Sequence, residues 1–319
     1  HNREWQRSVR RCATLAYHGG LGICAEARVL DVNSRERKMI SEIDRVRLAE
    51  VARRLKPGAE FVHAWPLPGG VSAQVIAFDV AFPAGDSRKF VLRRHGEVDR
   101  TQNPDVAAHE FQLLQALHTA GLPVPKPVFR DDSGQIFSTP YIVITYIEGN
   151  PVTTSDDAAA VDVYVHAMAG FLVLLHDIDV AVMGLPFLQN VERHAAARLA
   201  TAPRNLDDSL HEGRIRDTLS AVWPLTPRNE SVPLHGDYWP GNVLWHKGCI
   251  AGVVDWEDAC IGGPLYDLAN ARLEIDWAFG REAMRSFTDR YVSLRKIDTS
   301  CLPYWDLYAA LRPIAGMST

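Results

Sequence analysis

Cysteine is scarce and unpatterned in this chain. The five present (Cys12, Cys24, Cys249, Cys260 and Cys301) are scattered, odd in number and free of Cys-x-x-Cys spacing. That usage excludes a disulfide framework and a thiolate zinc site, and it fits reduced thiols in a cytoplasm. A basic excess is missing too: 34 Lys and Arg stand against 39 Asp and Glu, a formal net charge of −5. With no basic stripe either, no nucleic-acid partner is expected. The longest apolar run, Ala167 to Leu175, stops at His176-Asp177 and is too short to span a bilayer, so no membrane partner is expected. No apolar core follows the early arginines, as a signal peptide would require. The motifs G-x-x-x-x-G-K-[ST], His-Glu-x-x-His and G-x-S-x-G are all absent, which disfavours a P-loop kinase, a metalloprotease and an α/β-hydrolase.

What is present is the balance of a soluble globular protein, 47% apolar and 23% charged over 319 residues, enough for about two domains. Residues 1–38 are Arg-rich, lack periodicity and precede the first methionine, Met39. They read either as an extension outside the core or as a terminal helix or two packed on it. From Ile43 to Leu55 the spacing predicts a helix, followed by strand-like runs at Val62–Leu67, Ala73–Phe82 and Phe90–Arg94, separated by turn residues. A helix carrying Glu110, Leu113, Leu114 and Leu117 ends at Gly121. The prolines of Pro123 to Pro127 hold the next segment extended, and strands at Gln135–Phe137 and Tyr141–Tyr146 complete a five-stranded antiparallel lobe.

Glu148-Gly149-Asn150-Pro151 breaks the pattern as a hinge would, and beyond it the chain turns mostly helical, with Ala158–His176 as a core helix. The organisation is α+β: an N-terminal lobe over 39–147, a helical C-terminal lobe over 148–319, and a cleft between them in which a small ligand would bind.

The chemistry concentrates in His235-Gly236-Asp237, then Asn242, then Asp255 after a short hairpin. Phosphoryl transfer needs a carboxylate to orient and deprotonate an attacking hydroxyl, and oxygen ligands to hold Mg²⁺ against a triphosphate. Mg²⁺ takes one or two protein oxygens together with phosphate and water. Asp237 suits the first task, and Asn242 with Asp255 the second. Tyr238-Trp239-Pro240-Gly241 supplies a bulky anchor and a tight turn to fix the loop.

These residues resemble the kinase catalytic loop in the form found in the aminoglycoside phosphotransferase and choline kinase superfamily, where Gly replaces the Arg of the protein-kinase triplet as Gly236 does here. Val253-Val254-Asp255-Trp256-Glu257-Asp258-Ala259 and Gly262 to Ala269 look like that family's metal segment and following helix. The resemblance runs over about residues 43 to 315 and is sharp from Leu234 to Ala269. It implies a two-lobed protein-kinase-like fold and an ATP-dependent, Mg²⁺-dependent transfer of the γ-phosphate to a hydroxyl of a small molecule, either an aminoglycoside-like antibiotic or a small metabolite. Asp237 would be the base, with His235 and Asp267 bracing the loop, in a monomer or homodimer.

In the N-terminal lobe the resemblance points to Arg93 and its partner Glu110 for the α and β phosphates, to Gly69, Gly70 and Ser72 for the phosphate loop, and to Tyr146 and Ile147 for the adenine. The plain alternatives are surface strand arginines and an ordinary hairpin turn. Trp256, Glu257 and Asp258, with Glu274 and Asp276, would line an acidic acceptor wall or else form solvated faces. The competing function is a catalytically silent kinase-like module that binds nucleotide and acts through partners. It is disfavoured because Asp237, Asn242 and Asp255 are all retained.

Overall fold

The computed structural model describes residues 40–67, 73–155, 157–201, 206–207 and 211–312. They fall into two compact units, one ending at Glu148 and the other beginning at Gly149.

The first unit opens with α1 (Glu42–Leu55), whose start is fixed by Ser41: its hydroxyl accepts the Asp44 N–H at 3.1 Å. Glu42 and Asp44 in the first turn, with Arg53 and Arg54 in the last, complement the helix dipole. Leu48, Val51 and Ala52 are buried, whereas Ile43 and Val46, which share the apolar pattern, are exposed.

A five-stranded antiparallel sheet follows, built from β1 (Glu60–Pro66), β2 (Ala73–Ala81), β3 (Ser87–His95), β4 (Pro127–Asp131) and β5 (Tyr141–Thr145) in the order β1-β2-β3-β5-β4. Two helices, α2 (Glu97–Gln102) and α3 (Val106–Thr119), lie between β3 and β4. The core joins α1 to one sheet face through Leu48, Val51, Phe78, Val80, Leu92, Tyr141 and Val143. Placing β3 in the middle of the sheet explains why it is buried over Phe90–Arg93.

One strand differs from the sequence expectation. The fifth strand is Pro127–Asp131, and Gln135–Phe137 is a turn. The exchange has a physical cause: β4 is an edge strand, and Pro127 at its first position removes no ladder bond that the sheet needs. Asp131 Oδ1 then accepts the Ser133 N–H at 2.8 Å, and Gly134 (φ +72°) turns the chain. Phe137 is thereby tucked against Tyr141 with ring centroids 5.1 Å apart.

In the second unit β6 (Asn150–Pro151) pairs with a later hairpin. Next comes α4 (Ala158–His176), whose start is fixed by the Asp157 carboxylate accepting from Ala159 and Ala160. At 19 residues this apolar helix has the length and composition of a membrane span, longer than the apolar run within it. In the fold it is a core helix, with Val165, Met168, Phe171, Leu172 and Leu175 buried.

Short helices α5 (Val180–Met183), α6 (Val191–Ala200) and α7 (Glu212–Ser220) lead to β7 (Val232–Leu234). The hairpin β8 (Val243–His246) and β9 (Cys249–Val253) forms a three-stranded sheet with β6, and β10 (Cys260–Gly262) pairs with β7. The last elements among the described residues are α8 (Leu265–Phe279), α9 (Arg281–Leu294) and α10 (Leu302–Ala309), of which α9 packs on α4 and α8.

Candidate active site

The polar loop begins where β7 ends. His235 and Gly236 direct their backbone N–H groups at one carboxylate, Asp267, at 2.7 and 2.9 Å. Asp267 sits in the first turn of α8, where the helix dipole favours an anion, and it is fully buried. Burial alone would push its carboxyl up. The hydrogen bonds from His176 Nε2 (3.4 Å) and from the His235 N–H hold it below the ordinary carboxylate range.

Tyr291 supplies the other side of His176, its hydroxyl donating to Nδ1 at 2.7 Å. His176 therefore carries its proton on Nε2, and burial keeps the ring neutral by lowering its pKa. Gly236 stands at φ +85°, and a Cβ there would lie 2.0 Å from the Asp258 carbonyl oxygen. The glycine of the triplet is thus a requirement of the loop's geometry.

His235 is also fully buried. Its Nε2 donates to the Val254 carbonyl at 3.0 Å and its Nδ1 accepts the Asp237 N–H at 3.2 Å, an arrangement only the neutral Nε2–H tautomer can make. Burial again lowers the imidazole pKa, against the pull of Asp267 and Asp237. His235 thus ties Asp237 to the segment that carries Asp255 and has no open edge for a ligand. Trp256 packs on it with ring centroids 4.4 Å apart, is 3% exposed and donates to Val253 O at 3.0 Å. Expected on the acceptor wall, Trp256 is a packing residue beneath the loop. Glu257 and Asp258 are exposed.

The loop's anchor is Tyr238, fully buried, stacked on Phe171 and donating to Met168 O on α4 at 3.0 Å. Pro240–Asn242 forms a single 3₁₀ turn that brings Gly241 against the Trp239 ring, where a Cβ would sit 2.2 Å from the indole. The turn delivers Asn242, whose Nδ2 donates to both Asp237 O (2.9 Å) and Asp237 Oδ2 (3.0 Å). Since both partners only accept, the amide nitrogen faces Asp237 and the amide oxygen faces away.

The Val254 N–H donates to Asn242 O at 3.0 Å, so the hairpin places Asp255 next to that asparagine. Asp255 holds φ +66°, a left-handed conformation that a non-glycine residue adopts at a cost and that recurs at functional positions. Among the described residues no three His, Cys, Asp or Glu side chains form a closed metal cage. Asn242 and Asp255 carry hard oxygen donors of the type Mg²⁺ accepts, on two segments tied by the Val254 N–H to Asn242 O bond.

Two members of the site had no sequence signal strong enough to find them. Asn270, one helical turn past Asp267, donates to Gly236 O at 3.2 Å, and only its three-residue spacing from Asp267 hinted at it. Arg312 gives Nη1 to Gly236 O at 2.5 Å and Nη2 to Asp237 Oδ1 at 2.6 Å, with Asp258 Oδ2 3.6 Å away. It is 75 residues downstream of Asp237, with no motif around it. Glu274 continues the same α8 stripe and is half-buried. Its carboxyl is pushed up by that burial and by the charge of Asp237. Asp276 pairs with Arg281 at 3.3 Å.

In the first unit Arg93 Nε lies 2.9 Å from Glu110 Oε1, and His95 Nε2 lies 2.8 Å from the other oxygen. All three are more than nine-tenths buried. Burial would raise the Glu110 pKa, but Arg93 and His95 hold it below the usual range. His95 follows Arg93 by two residues, so strand alternation puts both on one face, a relation visible in the spacing alone. Arg94 faces the other way, its guanidinium 4.6 Å from the Phe137 ring centroid. Tyr146 is half-exposed, edge-on to Trp65 at 5.9 Å, with Lys89 at 5.5 Å, and Ile147 is half-buried beside it. Gly69, Gly70 and Ser72 lie outside the described residues.

These shifts predict acid lability in two steps. His176 and His235 resist protonation when folded, so below about pH 6.5 the unfolded chain binds more protons and stability falls. Glu110 and Asp267 have depressed pKa values, so their contribution is complete above about pH 4.5 and is lost as pH falls through the folded values. The urea midpoint should therefore fall between about pH 7.5 and pH 5.5, and again below about pH 4.5. A midpoint constant down to about pH 4.5 would contradict the neutral-imidazole assignment.

A model of the phosphotransferase enzyme family matches residues 64–311. Acyl-CoA dehydrogenase family member 11 of Rattus norvegicus is 25% identical over 253 residues, which is 70% of this chain and 32% of that protein. The chain therefore spans about a third of the length of that relative. Homoserine kinase of Pseudomonas aeruginosa strain UCBPP-PA14 is 26% identical over 235 residues, 66% of this chain and 71% of that one.

Among solved structures, the GDP and kanamycin complex of APH(2")-IIia superposes with a TM-score of 0.63 at 18% identity, covering 86% of this chain and 92% of that one. A macrolide 2'-phosphotransferase from Brachybacterium faecium gives 0.62 at 19%, covering 84% and 90%. With the α+β fold, the five-stranded sheet and the Asp237 loop in place, and a family match over most of its length, the chain belongs to the phosphotransferase enzyme family.

Proposed function

We propose that this chain transfers the γ-phosphate of ATP to a hydroxyl of a small molecule, with Asp237 as general base. The observation that carries the reading is the state of the Asp237 carboxylate: half-buried, fixed at Oδ2 by Asn242 and at the backbone by His235, on a loop clamped by Asp267. A carboxylate so constrained can meet an acceptor hydroxyl in one orientation, which is the main requirement of this chemistry. Asn242 and Asp255 would hold Mg²⁺, which when bound neutralises charge on the triphosphate. Arg93, steadied by Glu110 and His95, would contact the α and β phosphates, with Gly69, Gly70 and Ser72 offering N–H and hydroxyl donors. Tyr146 and Ile147 would present backbone groups to the adenine.

The names of the relatives support a small hydroxyl compound as acceptor, either a metabolite such as homoserine or an aminoglycoside. They do not carry a dehydrogenase activity to a chain that spans a third of the relative so named. Asp258 and Glu274 favour an acceptor bearing an amine.

A thermal-shift titration with ATP, with and without Mg²⁺, tests the nucleotide site. The expected result is a Mg²⁺-dependent rise in melting temperature, about 2.7 kcal/mol of stabilisation at a hundredfold excess over Kd, that disappears in Asp255→Ala. An unchanged shift in that variant would remove Asp255 from the metal role. A Mg²⁺-dependent shift without turnover would favour the silent binding module, and no shift with any nucleoside triphosphate would contradict the nucleotide site itself.

A further inference from the structure

Arg312 stands outside every motif in the chain, yet it makes the shortest polar contact to the Asp237 carboxylate that the structure holds. Its position is not left to chance. It follows α10, whose Trp305, Tyr308 and neighbouring Leu311 are buried. Trp305 packs edge-on to Tyr266 of α8 at 5.6 Å, and Tyr308 stacks on Trp223 at 5.7 Å. This aromatic cluster fixes where the chain emerges.

From there the guanidinium spans two acceptors of the same loop, Gly236 O and Asp237 Oδ1. Asn242 holds Oδ2, so both carboxylate oxygens are engaged and the plane of the group is set. A flexible carboxylate would be free to turn about its last bond, and a planar fork is the side chain best suited to stop it.

We propose that Arg312, just past the end of α10, is a positioning residue for phosphoryl transfer, acting through Asp237. The inference rests on Asp237 being the base. In that reaction the acceptor oxygen forms a bond to the γ-phosphorus and the bond to the β–γ bridging oxygen breaks. The hydroxyl proton passes to Asp237, and ADP departs with the electron pair. Arg312 exchanges no proton. It keeps Oδ1 and Oδ2 aimed while the proton moves, and its charge offsets that of Asp237 and Asp258 beside the incoming phosphate.

The test is ADP release from ATP·Mg²⁺ with L-homoserine, kanamycin or water alone as acceptor. It compares wild type, Arg312→Lys, Arg312→Met, Asp237→Asn and the double variant Asp237→Asn/Arg312→Met. Arg312→Met should lower kcat about 10- to 100-fold, as expected for a misplaced reacting group, while the KM for ATP changes less than about threefold. Arg312→Lys should recover part of the loss. The double variant should be no slower than Asp237→Asn alone, because a residue acting only through Asp237 has nothing left to position. A merely structural tether would leave kcat intact at temperatures where the variant is folded, or multiply the two defects, and either would overturn the role. If wild type releases no ADP with any of the three acceptors, the phosphotransfer reading fails and the Arg312 role falls with it. Wild-type turnover with an unimpaired Arg312→Met overturns Arg312 alone.

Discussion

Asp237→Asn should bind ATP·Mg²⁺ nearly as wild type does and turn over about 10²–10⁴-fold more slowly, the range for a lost general base. The substitution is isosteric. Its amide oxygen can still take the Asn242 Nδ2 or the Arg312 Nη2, which in the native protein lie 3.0 and 2.6 Å from the two carboxylate oxygens. What it cannot do is accept a hydroxyl proton, so the loss should appear in kcat and leave the KM for ATP unmoved. Steady-state ADP release at saturating ATP checks this directly. Turnover close to wild type would take Asp237 out of the base role.

Asp267→Asn should have the largest effect on stability, about 2–4 kcal/mol. The native carboxylate accepts the His235 and Gly236 N–H groups at 2.7 and 2.9 Å with no exposure to solvent. An amide of the same shape offers one oxygen to those two donors and turns its NH₂ against the other. That strands a buried N–H, at about 1–3 kcal/mol, and exchanges a charge-assisted bond for a neutral one. The hydrogen bond from His176 weakens as well. Because the loop meets the core helix α4 at this carboxylate through His176, which Tyr291 of α9 holds in turn, the urea midpoint should fall with little change in slope, and activity should fall with it. An unfolding free energy within about 0.5 kcal/mol of wild type would show that the carboxylate does not hold the loop.

How far the sequence revealed this site depended on the range of the interaction. His235, Gly236, Asp237 and Asn242 fall within one turn and hairpin, and the short β8–β9 hairpin carries Asp255 back to them, so spacing alone announced the cluster. Asp267 was legible only through the family resemblance, which implied that it braces the loop. Arg312 was not, since its approach depends on how α10 packs against α8 through aromatic contacts, and no local pattern encodes that.

Trp256 misled for the opposite reason. Its place beside Asp255 in sequence suggested a wall of the acceptor site, but the backbone at φ +66° turns at Asp255 and the indole goes under His235. In the sheet, the run 135–137 had the composition of a strand and Pro127–Asp131 did not. Edge position relaxed the proline penalty, and burial of Phe137 claimed the better strand former for a turn. His95 was one step of alternation away from being found with Arg93 and Glu110, the shared carboxylate being visible only once α3 is seated.

The most direct test of the account is mass-spectrometric detection of ADP, together with the phosphorylated acceptor, in reactions of the wild-type chain with ATP·Mg²⁺ and L-homoserine, kanamycin or water. Asp237→Asn serves as the blank. The account predicts ADP formation above that blank, with the phosphate found on an acceptor hydroxyl or released from water attack. Tight binding of ATP·Mg²⁺ with no ADP above the blank would contradict it and leave a nucleotide-binding module in place of an enzyme.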